Sequence, residues 1–121
     1  MKFSDRQRLD KMLDYAEKLL LCIKEEGIEK DDILHKQRMQ WMVTPPLYNI
    51  GEHAYNISNE FKDKYNNVPW NMVAGLRHRL VHDYDGTNWN IIVEVIYDDL
   101  PVLIEQLREI IRQEDENTTP S

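Results

Sequence analysis

Leu76-Arg77-His78-Arg79-Leu80-Val81-His82-Asp83-Tyr84 is the stretch around which the rest of this chain is ordered. Five of its nine residues are Arg, His or Tyr, in a chain that is otherwise acidic. Asp85-Gly86 follows it, a turn signal that sets the stretch at the end of an element. Upstream, Pro69 suits the first turn of a helix, and Trp70, Val73, Leu76 and Leu80 recur at three- and four-residue steps. The spacing predicts a short helix with an apolar inner face and a polar C-terminal end. A permanent cation, a titratable base, a phenol and a carboxylate then lie within about two helical turns.

The flanking sequence is also helical in pattern. Ser4 and Gln7 form a capping box, and Leu9, Met12, Leu13, Ala16, Leu19, Leu20 and Ile23 follow at the helical period until Gly27. Asp31 or Asp32 is expected to cap a second helix running through Ile33, Met39 and Met42. Pro45-Pro46 interrupts it, with Thr44 placed as an N-cap, and Leu47, Ile50, Ala54, Ile57 and Phe61 continue the period. A kinked or broken pair of helices is the expectation there. After the turn at Gly86, Thr87 or Asn88 can cap a last helix. Its apolar series, from Trp89 through Ile92, Ile96, Leu100, Leu103 and Leu107 to Ile110, is the cleanest in the chain, with a local bend expected at Pro101. There is no internal repeat, no strand alternation and no Gly-rich phosphate loop. The fold class is all-α, a bundle of four to five helices with a kinked or broken middle helix. One domain is expected over residues 1–113, with a flexible, polar tail over 114–121.

The 121 residues suffice for one core, and the net charge of −7 comes from 15 Lys and Arg against 22 Asp and Glu. That balance argues against broad binding to nucleic acid or to an anionic membrane, while a local basic patch stays possible under screening. The single Cys22 can form no internal disulfide and fits a reducing cytoplasm. The N-terminus lacks the apolar core of a signal peptide, and no run is long enough to span a membrane. The expectation is a soluble cytoplasmic domain.

RNA cleavage without a metal needs a base for the 2′-hydroxyl proton, an acid for the 5′-oxygen and a cation for the phosphorane. His82 suits the acid–base work, because an imidazole titrates near neutrality. Arg77 suits the phosphate, because a guanidinium offers bidentate donors. Tyr84 can position a phosphate or stack on a base. Geometry is less accommodating: Arg77 and His82 lie roughly 140° apart around an ideal helix. They converge only if the helix frays near His82, if Arg77 reaches around, or if two copies of the chain share one cleft.

Arg77, four residues, His82, one residue and Tyr84 together resemble the signature of the HEPN superfamily, and within it the HepT-like toxins paired with minimal nucleotidyltransferase antitoxins. Ile50-Gly51-Glu52, Val68-Pro69-Trp70 and Asp99-Leu100-Pro101 are similar to segments of the same family, so the likeness covers about residues 47 to 107. The resemblance implies an all-helical homodimer whose two motifs meet in a cleft and cleave RNA without a metal or other cofactor. It implies catalytic roles for Arg77 and His82, with His78 standing where the family more often has another polar residue. It also implies that Tyr84 is the target of AMP addition by a nucleotidyltransferase antitoxin, which would close the cleft to RNA. His78, as a possible third catalytic group, Glu52 and Asp83 are supporting candidates, and Arg79 would contact RNA. The expected partners are a second copy, the antitoxin and RNA, with neither a membrane nor DNA.

Plainer readings stand beside these. Arg77 can form a structural ion pair with Glu52 or Asp83, and His82 can be a helix-end residue favoured by the dipole. His78 and His82 are four apart, a spacing open to zinc, although no third ligand is evident nearby except Asp83 or a distant His. His35 and His53 read as polar surface or interface residues, Trp41, Trp70 and Trp89 as core or interface, and the Met residues as core filler. The alternative function is a noncatalytic helical adaptor that binds a nucleotidyltransferase partner and nucleotide phosphate.

Overall fold

The computed structural model describes residues 2–81 and 86–118, and among them every regular element is a helix. Helix α1 (Asp5–Glu25) opens on the Ser4 capping box. The Ser4 hydroxyl accepts from the Gln7 amide at 3.1 Å, and the Gln7 side chain accepts from the Ser4 amide at 2.9 Å. The helix closes on a Schellman turn: the Ile28 amide donates to the Ile23 carbonyl at 3.0 Å and the Gly27 amide to the Lys24 carbonyl at 3.3 Å. Gly27 takes φ +61, a backbone state that costs glycine little and other residues more.

The middle of the chain departs from its expected outline. Helix α2 (Lys30–His35) is only six residues long, and its N-cap is Glu29 rather than Asp31 or Asp32. Asp32 sits one turn in and accepts from the Glu29 amide at 2.8 Å. The chain leaves the helix at Lys36, where the side chain of Gln40 donates to the carbonyls of Ile33 and Leu34. Helix α3 (Gln37–Asn56) then passes through Pro45 and Pro46 without a break. Thr44 is therefore inside the helix, not at a cap, and its hydroxyl donates to the Gln40 carbonyl at 2.7 Å. The two prolines remove the amides that would serve Trp41 and Met42. Val43 and Leu47, fully buried on either side, hold the helix to the core across that gap.

Helix α4 (Asn59–Lys64) is capped by Ser58, whose own amide and hydroxyl donate to Asp5 at 2.9 and 2.6 Å. That contact ties the end of α3 to the start of α1. Helix α5 (Trp70–Val81) presents Trp70, Val73, Leu76 and Leu80 to the core, as its spacing predicts. The last rod starts with α6 (Trp89–Glu94), where the Asn88 side chain accepts from the Asn90 amide. A π-helical turn over Val95–Asp99 leads into α7 (Leu100–Thr118). The wide turn lies immediately before Pro101, and the Leu100 amide reaches back to the Val95 carbonyl. The expected bend at Pro101 thus takes the form of one widened turn. Tyr97 in that turn donates to the Ile28 carbonyl at 2.9 Å, joining it to the end of α1. Helix α7 runs on beyond Gln113 to Thr118, where Glu114 accepts from Lys64 and Tyr65, and Asp115 pairs with Arg6. Among the described residues no helix is long and apolar enough to cross a membrane.

Helices α3 and α5 cross at close range. A Cβ placed on Gly51 would lie 2.7 Å from the Arg77 amide nitrogen and 3.1 Å from the Val73 carbonyl oxygen. Backbone occupies the space that a side chain needs, so Gly51→Ala must push the two helices apart. Overpacking of this kind costs about 1–3 kcal/mol. Urea denaturation of Gly51→Ala should show a loss in that range with an unchanged slope; wild-type stability would mean that the helices do not cross this closely.

Candidate functional site

The α3–α5 crossing builds the site around Arg77. Leu76 and Leu80, both buried, fix the inner face of α5, and Arg77 emerges beside them toward α3. Its Nη1 donates to Glu52 Oε2 at 2.9 Å, with the two side chains 34% and 35% exposed. The carboxylate raises the proton affinity of the guanidinium, chiefly through that hydrogen bond. The other Glu52 oxygen accepts from Asn56 Nδ2 at 3.2 Å, and the same amide donates to the Glu52 carbonyl at 2.9 Å. The Arg77 Cζ also sits 3.7 Å from the centroid of the Tyr55 ring, at stacking distance. Arg77 is thus held on two sides by one helix, from Glu52 and from Tyr55 three residues on.

The sequence reading placed Glu52 with Arg77 but missed Tyr55 and Asn56. A signal for both was present, since positions three and four residues on from Glu52 share its side of a helix. His78 and Arg79 are exposed in the last turn of α5, where the Arg79 carbonyl accepts from Thr87 at 3.2 Å. His82, Asp83 and Tyr84 lie outside the described residues, and with them the expected convergence of Arg77 and His82, the pairing with Asp83 and the His78–His82 zinc spacing. Among the described residues no group of three or more His, Cys, Asp or Glu is placed to hold a metal ion.

His53 corrects the sequence reading. It is 7% exposed, not a surface residue, and it faces α1 rather than α5. Its Nδ1 lies 3.2 Å from Arg8 Nη1, its ring meets the edge of Phe3 at 5.5 Å, and Tyr15 stacks on it at 6.4 Å. Because arginine can only donate, Nδ1 is the acceptor and the neutral ring carries its proton on Nε2. Burial pushes the His53 pKa below its usual value of 6.5; Arg8 and Lys11 add to the effect, and Glu52 opposes it. His35 is exposed as expected. Trp70 is buried and donates to the Tyr65 carbonyl at 3.0 Å, while Trp41 is largely exposed. Met72, expected as core filler, is exposed at the rim of an apolar cleft of about 230 Å³ between α5 and α7. Among the described residues, none of the site residues expected from sequence lines that cleft.

A HEPN-like all-α bundle with a cationic motif helix is the class of protein that this fold and site define. The chain belongs to the ribonuclease HepT-like family, whose family model matches residues 8–110. A protein of Caldanaerobacter subterraneus subsp. tengcongensis named "putative RNase" is 35% identical over 109 residues, which are 90% of this chain and 96% of that one. Another "putative RNase", from Methanocaldococcus jannaschii, is 37% identical over 91 residues, covering 73% of this chain and 75% of its own. The "probable ribonuclease HepT" of Thermococcus cleftensis is 33% identical over 82 residues, covering 65% and 74%. No solved structure matches the chain.

A histidine with a lowered folded pKa binds fewer protons than it does in the unfolded chain. Its stability contribution is therefore complete above the unfolded value of 6.5 and declines as the pH falls below it. Urea denaturation between about pH 5 and 8 should show wild type losing stability on acidification more steeply than His53→Gln. Parallel pH profiles for the two proteins would rule out this role for His53.

Proposed function

We propose that this chain is a metal-independent endoribonuclease toxin that acts as a homodimer, with Arg77 and His82 of both copies around one RNA-binding cleft. The observation that carries this reading is the fixed Arg77 guanidinium. A phosphate-binding cation works best when its position is set before the substrate arrives. Glu52 and Tyr55 hold Arg77 in that way at the end of the motif helix. Glu52 takes only Nη1, which leaves Nε and Nη2 for a phosphate.

In the reaction, the ribose 2′-oxygen forms a bond to phosphorus while the bond from phosphorus to the 5′-oxygen breaks. One His82 accepts the proton of the 2′-hydroxyl, and His82 of the second copy gives a proton to the leaving 5′-oxygen. Arg77 stabilises the charge that gathers on the phosphorane, and the product ends in a 2′,3′-cyclic phosphate. Arg79 adds positive charge at the cleft, and His78 and Asp83 are supporting residues. Regulation falls to Tyr84. Its phenol oxygen takes AMP from ATP in a step catalysed by a nucleotidyltransferase antitoxin, with pyrophosphate leaving. The added nucleotide brings bulk and negative charge to the cleft and excludes RNA.

Purified protein should cleave RNA in EDTA and leave cyclic phosphate ends. His82→Ala should lower the rate by about 10²- to 10⁴-fold, the range for loss of an acid–base group. Cleavage by wild type no faster than by His82→Ala would overturn the proposal. Coexpression with a nucleotidyltransferase antitoxin should add the mass of AMP to wild type and not to Tyr84→Phe, read as intact mass; an equal mass gain in both would remove Tyr84 as the acceptor.

A further inference from the structure

Tyr55 is exposed to 54% even though Arg77 lies against its ring. The guanidinium lies over the ring at 3.7 Å from its centroid, and more than half of the residue still meets solvent. An aromatic ring so placed is half of a stack. It is braced by a cation from behind, and that cation is itself fixed by Glu52. Little rotamer freedom remains to be lost when a second flat group arrives on the ring. Tyr55 offers an apolar, planar group, and Arg77 beside it offers a charge and N–H donors.

We propose that Tyr55 is a base-stacking platform: its ring receives one nucleobase of single-stranded RNA, and Arg77 holds a neighbouring phosphate. The inference rests on the ribonuclease reading and adds to it a subsite and a residue that determines where the strand sits. Bases of single-stranded RNA stack on aromatic side chains with little regard for sequence, because every base offers a flat face. The charge of the chain favours such a contact. With a net charge of −7, most of the surface repels RNA, so cations alone hold a strand weakly and lose grip as salt rises. Stacking on Tyr55 is not an ion pair and persists in salt. A partner protein docking on the same ring is the competing occupant, and the measurements below separate the two.

The probe is a short fluorescein-labelled 2′-O-methyl RNA, which cannot be cleaved, together with versions lacking the base at one position each. Binding is read by anisotropy for wild type, Tyr55→Phe and Tyr55→Ala. Tyr55→Ala should weaken binding about ten-fold, the scale of one lost base–aromatic stack, and by a similar factor at low and moderate salt. Tyr55→Phe should bind like wild type. Removal of the base at one position should weaken wild type about ten-fold and leave Tyr55→Ala unchanged. The same loss in both proteins would mean that the ring only braces Arg77, and the proposal falls. It also falls if Tyr55→Ala binds like wild type, or if that variant changes the sedimentation mass, which would make the ring a protein contact. Unmodified RNA separates this idea from the one beneath it. A platform signature without cleavage overturns the ribonuclease reading alone, and cleavage without the signature overturns the platform alone. A wild-type protein that binds none of these RNAs overturns both.

Discussion

At Gly51 the backbone of α3 lies against the backbone of α5 at Arg77, with no room for a methyl group between them. Much of the rest depends on that approach. Helix–helix distances are ordinarily set by side chains at the crossing, and a glycine there lets two helices meet at backbone distance. Close approach brings Glu52, the next residue, within hydrogen-bond range of an arginine on the facing helix. It also carries Tyr55, one turn on, against the same guanidinium. The apolar residues that seat the crossing, Ile50 and Ala54 on α3 and Val73, Leu76 and Leu80 on α5, are all buried. The site is thus a polar edge on a packed seam, and its precision is that of the core beneath it.

The Arg77–Glu52 pair is of small consequence for stability. Solvent screens an ion pair as open as this one, and the pair between α1 and α7, Arg108 with Glu17 at 2.7 Å, is more exposed still. What the pair does is orient. A guanidinium on a long flexible stem has many positions open to it; one carboxylate and one ring reduce them to a narrow set. Arginine has five N–H donors in a rigid fork, so one bond to Glu52 does not consume its capacity for phosphate. A lysine in its place would offer a point charge with no flat face for Tyr55 and no second edge.

The elements most legible in the sequence are those set by local rules. The Ser4 capping box, the Gly27 terminator and the inner face of α5 follow from short-range chemistry, and the structure has them where the sequence puts them. The prolines of α3 are different. Pro45-Pro46 reads as a kink or a break because it removes two amides; buried neighbours on both sides keep the helix continuous, so of the two readings the structure has no break there. His53 was misread for a related reason. Periodicity says which residues face a core, but not that an aromatic and cationic pocket from α1 would close over a histidine. In the site, Glu52 was legible beside Arg77, because a carboxylate on a buried-looking helix needs a partner. Tyr55 was not, since an exposed tyrosine is unremarkable until a guanidinium from another helix is known to lie on it.

Gly51, Glu52 and His53 are consecutive, and each faces a different neighbour. Steps of about 100° around α3 turn the first to the backbone of α5, the second to Arg77 and the third to Arg8 of α1. The three requirements are mutually exclusive: space for backbone, a carboxylate for a cation, and a neutral ring in a buried pocket. A slip of α3 by one residue in either direction would put a side chain into the α5 backbone and leave Arg77 without its carboxylate. The register that closes the core is therefore also the register that positions the site, and no separate device is needed to hold Arg77 in place.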